Sequence, residues 1–318
     1  MVGGAAPGGG RAAARRGIAD RWYRGRWAAV VWCACWFVTV AGDAVGSAAL
    51  GAPAATGGAM IPAGGAVVVR VLQLNLCGSG FAACYTGMSS AEAAAVIRAE
   101  RPDLVTLNEV CRDDVSMLQK VLAGEVSAGA VVLAFQAAVD RRTGASFRCR
   151  NGEQYGIGVL SRWPSPAGSS ASGGVYPVQD AGSPEGRVWL CLNVATTPAV
   201  AASATVGVCT THLAHSKREV AASQCRYLFG TVIAQWRARE RMAPVVVGAD
   251  LNLGSDVSPD LEACLPPGSA VAGDGGEQHV LATPGFVVAD TRTVDLHGAS
   301  DHPALLVTLA RATGRGMP

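Results

Sequence analysis

The chain has 318 residues, half of them hydrophobic, and a net charge of +2, enough for one large domain with a buried core and too little charge for a protein that coats nucleic acid without specificity. Residues 1–50 carry six arginines against two aspartates, more than the whole net charge, so the remainder is close to neutral. Any contact with an anionic polymer therefore has to be local.

Arg11, Arg15, Arg16, Arg21, Arg24 and Arg26 precede an apolar run from Trp27 to Val40, with Asp43 and small residues after it. The run is short for a membrane span, and the order of charge, apolar run and small residues reads as an export signal over residues 1–50. The expected localisation is secreted, by the general secretory route, with anchoring through the apolar run as the alternative. Residues 51–65, rich in Ala, Gly and Pro, read as a flexible leader, residues 66–312 as the single domain, and residues 313–318 as a tail.

Within the domain, short β-rich runs alternate with helical ones. Strands are expected at 67–74, 104–107, 130–139, 155–160, 188–194, 205–211, 245–248, 287–288 and 305–309. Ser89 and Ser90 cap a helix through Arg98 that Pro102 ends, and Asp113 and Asp114 open another through Leu122. The longest helix is expected over 217–239, where Val220, Leu228, Val232, Ile233 and Trp236 recur at helical spacing.

Of ten cysteines, Cys33 and Cys35 lie in the apolar run. That leaves Cys77, Cys84, Cys111, Cys149, Cys191, Cys209, Cys225 and Cys264, an even set in an exported chain and so a disulfide framework. None has the C-x-x-C spacing of a zinc site. The strands around Cys191 and Cys209 flank a turn near Val200, which sets the two opposite each other. Cys77 and Cys84 are close enough to staple a loop beside Asn75, and the simplest remaining pairs are Cys111 with Cys149 and Cys225 with Cys264.

Five apolar strands end in polar groups: Asn75 after VLQL, Glu109 in LVTLNEV, His212 in VCTTHL, Asp250 and Asn252 in VVVGADLN, and Asp301 with His302 in SDHPALLV. A buried strand that ends this way places its polar group at the sheet rim, where ligands bind. In this order and spacing the motifs resemble the endonuclease/exonuclease/phosphatase superfamily from about Val67 to about Leu309. The resemblance implies an α/β (α+β) fold, a four-layer sandwich of the deoxyribonuclease-I-like type with two packed mixed β-sheets flanked by helices, and makes residues 66–312 a catalytic domain.

It further implies hydrolysis of phosphodiester bonds with a hard divalent cation, Mg2+ or else Mn2+ or Ca2+. Glu109, Asn75 and Asp301 would serve the metal. Asp250 would orient or deprotonate the attacking water, Asn252 would donate to a phosphate oxygen, and His212 and His302 would face the scissile phosphate as proton carriers or charge binders. Arg187, in SPEGRVWL, would contact a phosphate oxygen. The expected enzyme is a monomer without an obligatory protein partner, acting on nucleic acid or another phosphodiester substrate. An extracellular nuclease is the leading reading; a sphingomyelinase-like lipid phosphodiesterase and an impaired member that only binds are the alternatives. The basic cluster Arg141, Arg142, Arg148 and Arg150 suits a nucleic-acid backbone, whereas Trp163, Trp189 and Trp236 are too scattered to form a membrane-engaging loop.

Two positions depart from the family pattern. Its G-D-x-N reads Gly248-Ala249-Asp250-Leu251-Asn252 here, and Gln278, beside Glu277, stands where an aspartate usually orients the last histidine. An amide accepts a hydrogen bond from imidazole but does not stabilise imidazolium as a carboxylate does, so reduced activity or a shifted pH optimum is expected. His215, His279 and His297 are expected to be structural.

Overall fold

The computed structural model describes residues 68–124, 131–196, 205–240, 243–254 and 261–312. The expected export signal with Cys33 and Cys35, the leader, the tail and the turn near Val200 lie outside the described residues. Among those described, no helix is long and apolar enough to cross a membrane.

Strand β1 (Val68–Asn75) leads through helix α1 (Ser89–Glu100) to β2 (Leu104–Cys111), which lies parallel to it. Next come α2 (Arg112–Gly124), β3 (Val132–Ala137), β4 (Val139–Asp140), β5 (Tyr155–Ser161), β6 (Ser172–Val175), β7 (Glu185–Gly186), β8 (Val188–Ala195) and β9 (Thr205–His212). A second crossover, α3 (Arg218–Tyr227), a π-helical turn Leu228–Ile233 and α4 (Ala234–Arg239), leads to β10 (Val245–Asp250), parallel to β9. The chain closes with β11 (Ala270–Gly273), β12 (Gln278–Ala282), β13 (Phe286–Val294) and β14 (Ala304–Arg311).

The described strands form two mixed six-stranded sheets, ordered β13-β14-β1-β2-β5-β3 and β11-β12-β10-β9-β8-β6. Period-two alternation explains the layers. Val69 and Val71 of β1 meet Leu190, Leu192, Val206 and Val208 between the sheets. Leu72 and Leu74 face outward against Ala93 and Ile97 of α1 and Leu118 of α2. On the other side, Val245, Val247 and Ala249 pack under Ala221, Cys225, Leu228 and Trp236. The result is the expected helix–sheet–sheet–helix sandwich.

Each sheet holds one helix-linked parallel pair, β1 with β2 and β9 with β10, so the C-terminal ends within each pair share one edge. Toward those ends the inward positions turn polar: Gln73 and Asn75, Thr106 and Asn108, Thr210 and His212, then Asp250. Gly248 allows the sheets to close here, because a Cβ on it would collide with Thr106. Asn108 clips the two sheets together, its Oδ1 accepting from Asp250 N at 2.8 Å and Gln73 Nε2 at 2.7 Å while its Nδ2 donates to Thr211 O at 3.0 Å.

Three differences from the sequence reading have local causes. The helix expected over 217–239 is interrupted by the π-helical turn. The strand expected over 130–139 divides at Ala138, whose N–H donates to Tyr155 O, and β4 then pairs with β7 outside the large sheets. The stretch expected as strand only at 287–288 runs through all of β13, an edge strand exposed along nearly its whole length, where no burial imprints an alternating pattern.

Four disulfides join the pairs set out above. Cys191 and Cys209 are directly paired across β8 and β9, with Cα atoms 4.1 Å apart. Cys77–Cys84, Cys111–Cys149 and Cys225–Cys264 span 6.0, 6.2 and 5.7 Å between Cα atoms, and the set fits an oxidising compartment. Cys225–Cys264 ties α3 to a residue 39 positions later. Replacing both by alanine is expected to lower stability by about 2–4 kcal/mol, read as a lower denaturant midpoint.

Candidate active site

The two parallel pairs deliver their ends to one cleft of about 970 Å³. Glu109, Arg187, His212, Asp250, Asn252, Asp301 and His302 all line it. Asn75 lies buried beneath, joined to two of them.

Glu109 reaches the cleft through strain. Asn108 faces the sheet interface, so a regular strand would point Glu109 outward toward the helices. Instead β2 bulges against β5 between Leu107 and Val110, and Glu109 takes φ of 52°. The left-handed conformation re-aims its side chain, a penalty that functional sites commonly carry. Burial, opposed by the Asn75 hydrogen bond and reinforced by the charges of Glu185 and Asp250, raises its carboxyl from 4.5 to about 7.

Asn75 is a spacer between acids. Its Nδ2 donates to Glu109 Oε1 at 3.1 Å and to Asp250 Oδ2 at 2.9 Å, and its Oδ1 accepts from Cys77 N at 3.1 Å. Because a backbone N–H can only donate, that last bond fixes the amide orientation. Nitrogen, not oxygen, therefore faces the carboxylates, which sets Asn75 beside Glu109, in the place expected for serving the metal or phosphate.

Arg187, expected to contact a phosphate oxygen, lines the cleft. It is 4% exposed, and its terminal nitrogens meet Glu185 Oε1 at 3.0 Å, His212 Nδ1 at 2.6 Å and His215 Nδ1 at 3.2 Å, while Nε is buried without a partner among the described residues. It orients two imidazoles and one carboxylate. Arginine donates only, so His212 must accept at Nδ1 and carry its proton on Nε2, which lies 3.9 Å from Asp250 Oδ2. Burial, and then the charges of Arg187, His215 and His302, hold His212 well below the ordinary imidazole value. His212 is thus a neutral hydrogen-bond donor rather than a proton carrier. Nitrogen NMR is expected to show the Nε2–H tautomer persisting where an ordinary imidazole has already gained its second proton; a His212 that charges like a free imidazole would sink this assignment.

Asp250 accepts from Asn252 N at 3.1 Å through Oδ1 and lies 3.6 Å from His302 Nε2 through Oδ2. Asn252, with φ of 51°, donates one amide N–H to Leu213 O at 3.1 Å, leaving the second for a ligand. Gln278 does not meet His302. Its Oε1 accepts from Asn75 N at 3.1 Å and its Nε2 donates to Pro303 O at 2.6 Å, so it holds the backbone next to the imidazole instead. Among the described residues, the carboxylates within ion-pair distance of His302 are Asp250 and Asp301, the latter at 4.0 Å.

Glu185, His215 and Phe81 are among the cleft residues that escaped the sequence reading, His215 having been expected to be structural. Glu185 and His215 flank Arg187, and Phe81 stands at the rim; none ends a long apolar strand, the pattern that revealed the others. His279 and His297 are structural as expected, one bonded to Glu277 O and the other to Glu92.

A cation would find the oxygen donors of Glu109 and, deeper, of Asp250 here. Among the described residues Glu109 has no Lys or Arg within ion-pair distance, so a buried carboxylate lacks a counter-charge. Asp301 lies on the same cleft, half-exposed. This sparse set suits magnesium, which keeps several waters and takes one or two carboxylates with substrate phosphates. The three-ligand groups among the described residues, Cys77 with Cys84 and Asp301 and Cys111 with Asp113 and Asp114, contain disulfide sulfurs, which do not act as thiolate donors.

Residues 72–302 match the model of the Endonuclease/Exonuclease/phosphatase family. Solved structures similar to this one include an endonuclease/exonuclease/phosphatase from Beutenbergia cavernae, 26% identical with a TM-score of 0.56 over 77% of this chain and 72% of that one. The human Nocturnin catalytic domain, solved with a sulfate anion, is 11% identical with a TM-score of 0.54 over 77% and 95% of the two chains. A mannosyl-6-phosphatase from Bacteroides thetaiotaomicron is 12% identical with a TM-score of 0.50 over 76% and 99%. The last two likenesses concern the fold alone. No curated protein matches the chain.

Proposed function

Because the chain belongs to the endonuclease/exonuclease/phosphatase family, whose members are phosphoric ester hydrolases, we propose that it is a divalent-metal-dependent phosphodiesterase, a nuclease acting outside the cell. The observation that carries this reading is the convergence of Glu109, His212, Asp250, Asn252 and His302, from four separate segments, on one cleft. A role in binding alone would not need a base, a neutral donor and an uncompensated acid at one point.

Asp250, held by Asn75 and the Asn252 N–H, is placed to orient a water molecule and accept its proton as the oxygen attacks phosphorus. His212, through Nε2–H, and Asn252, through its second amide N–H, donate to the phosphate oxygens as charge grows on them. His302 is placed to return a proton to the departing oxygen as the P–O bond breaks. Glu109, with Asp301, would hold Mg2+. When bound, the ion supplies positive charge to the phosphate and the leaving group.

The four disulfides support an extracellular setting. Purified protein offered plasmid DNA, RNA, sphingomyelin and a generic phosphodiester, with magnesium or with chelator, tests the proposal. Magnesium-dependent cleavage of nucleic acid is expected. Turnover of sphingomyelin alone would move the assignment to lipid, and no turnover of any substrate would leave a binding protein.

A further inference from the structure

One large aromatic side chain stands in water at the mouth of the cleft. Phe81 is 63% exposed yet lines the same cleft as Glu109 and His302. Exposed phenylalanines on mobile loops are common; this one is held from several sides. The Cys77–Cys84 disulfide closes its loop, Phe81 N donates to Ser79 Oγ at 3.2 Å, and Gly78 N donates to Glu109 O at 2.7 Å. Behind it, Arg150 N donates to Ser79 O at 2.9 Å and the Arg150 guanidinium lies 5.4 Å from the ring centroid. The approach is close enough that Gly80, at φ of 83°, has no room for a side chain: a Cβ would come within 2.7 Å of Arg150 Cβ. Arg150 is tied in turn, through neighbouring Cys149, to Cys111 at the end of β2.

A ring so fixed loses little freedom on binding a ligand, which is the condition for an effective recognition platform. Its neighbours indicate the ligand. Arg148 lines the cleft, is exposed, and among the described residues bonds only Gly152 O, with no carboxylate in ion-pair distance. Arg142, by contrast, is already paired with Asp140 at 2.9 Å. A flat apolar face and an uncompensated guanidinium lining the same cleft match a planar base and a neighbouring phosphate. In a duplex the base faces are stacked and hidden, so a side chain can use them only on an unpaired strand.

We infer that Phe81 and Arg148 form a subsite for one unpaired nucleobase and its adjoining phosphate, and that this subsite directs the enzyme to single-stranded nucleic acid. The inference rests on the nuclease reading above. Its test compares a short oligothymidylate with an abasic oligomer of the same length, both cleaved by the full chain in magnesium. The wild type is expected to favour the base-bearing strand about tenfold in kcat/KM. Phe81→Ala should bring that ratio close to one, Phe81→Trp should preserve it, and Arg148→Ala should raise KM for both oligomers. If the wild type cleaves both equally and Phe81→Ala leaves the ratio unchanged, the subsite is refuted while the nuclease reading stands. If neither oligomer is cleaved while bis(4-nitrophenyl) phosphate is, both fall. If Phe81→Ala instead releases the protein from phosphatidylcholine–phosphatidylglycerol vesicles and leaves the oligomer ratio intact, the rim is a lipid contact and the inference is overturned.

Discussion

Glu109→Gln is expected to lower kcat by about a thousandfold or more, while raising the thermal stability of the cation-free protein above neutral pH. Both effects come from one buried carboxyl. Burial raises Glu109 from 4.5 to about 7, so the folded protein holds its proton more tightly than the unfolded chain does. The stabilisation this gives is fully present below about pH 4.5 and is lost as the pH rises through about 7. At most about 3 kcal/mol is involved. Glutamine still offers an oxygen to Asn75 and carries no charge, so it removes this pH-dependent loss. Magnesium should raise the melting temperature of the wild type at pH ~8 and leave that of Glu109→Gln unmoved. Equal magnesium shifts in the two proteins would exclude Glu109 as the holder of the ion, whatever the activities.

Asp250→Asn should be at least as harmful to turnover, with the opposite effect on stability. Asp250 accepts from Asn252 N with one oxygen and from Asn75 Nδ2 with the other. An amide supplies only one acceptor, so one of the two bonds is lost and, in one orientation, an NH2 group is turned against that of Asn75. Leaving a buried donor unmet costs about 1–3 kcal/mol. The variant should therefore lose both the proton acceptor and part of its stability, with kcat down by about a thousandfold at saturating substrate. Retention of a tenth of the wild-type kcat by folded Asp250→Asn would remove Asp250 from the role of base. The contrast with Glu109→Gln separates the two acids: one is raised by its burial, the other is satisfied by its neighbours.

The layered fold was legible because alternation and helical periodicity are local properties, and the long apolar strands display them plainly. Short strands such as β6, with sequence SGGV, and β12, with QHVLA, carry no such pattern. They are strands because the registers of β8 and β10 make them so.

The sequence alone pointed to polar strand ends that converge on the cleft, to Cys191–Cys209 through strand pairing and to Cys77–Cys84 through a short loop, whereas Cys111–Cys149 and Cys225–Cys264 were only what remained. Which atom of each residue faces which neighbour was decided by the tertiary structure. Asn75 turns its nitrogen toward Asp250 because Cys77 N claims its oxygen, and the Arg187 guanidinium is oriented by Glu185, His212 and His215 around it. Glu109 enters the cleft only because β2 bulges against β5. Phe81 becomes a platform because Arg150, from a distant hairpin, lies behind it. Each of these depends on the meeting of segments far apart in sequence, at distances set by how closely the two sheets and their flanking loops pack, and no local pattern encodes such a distance.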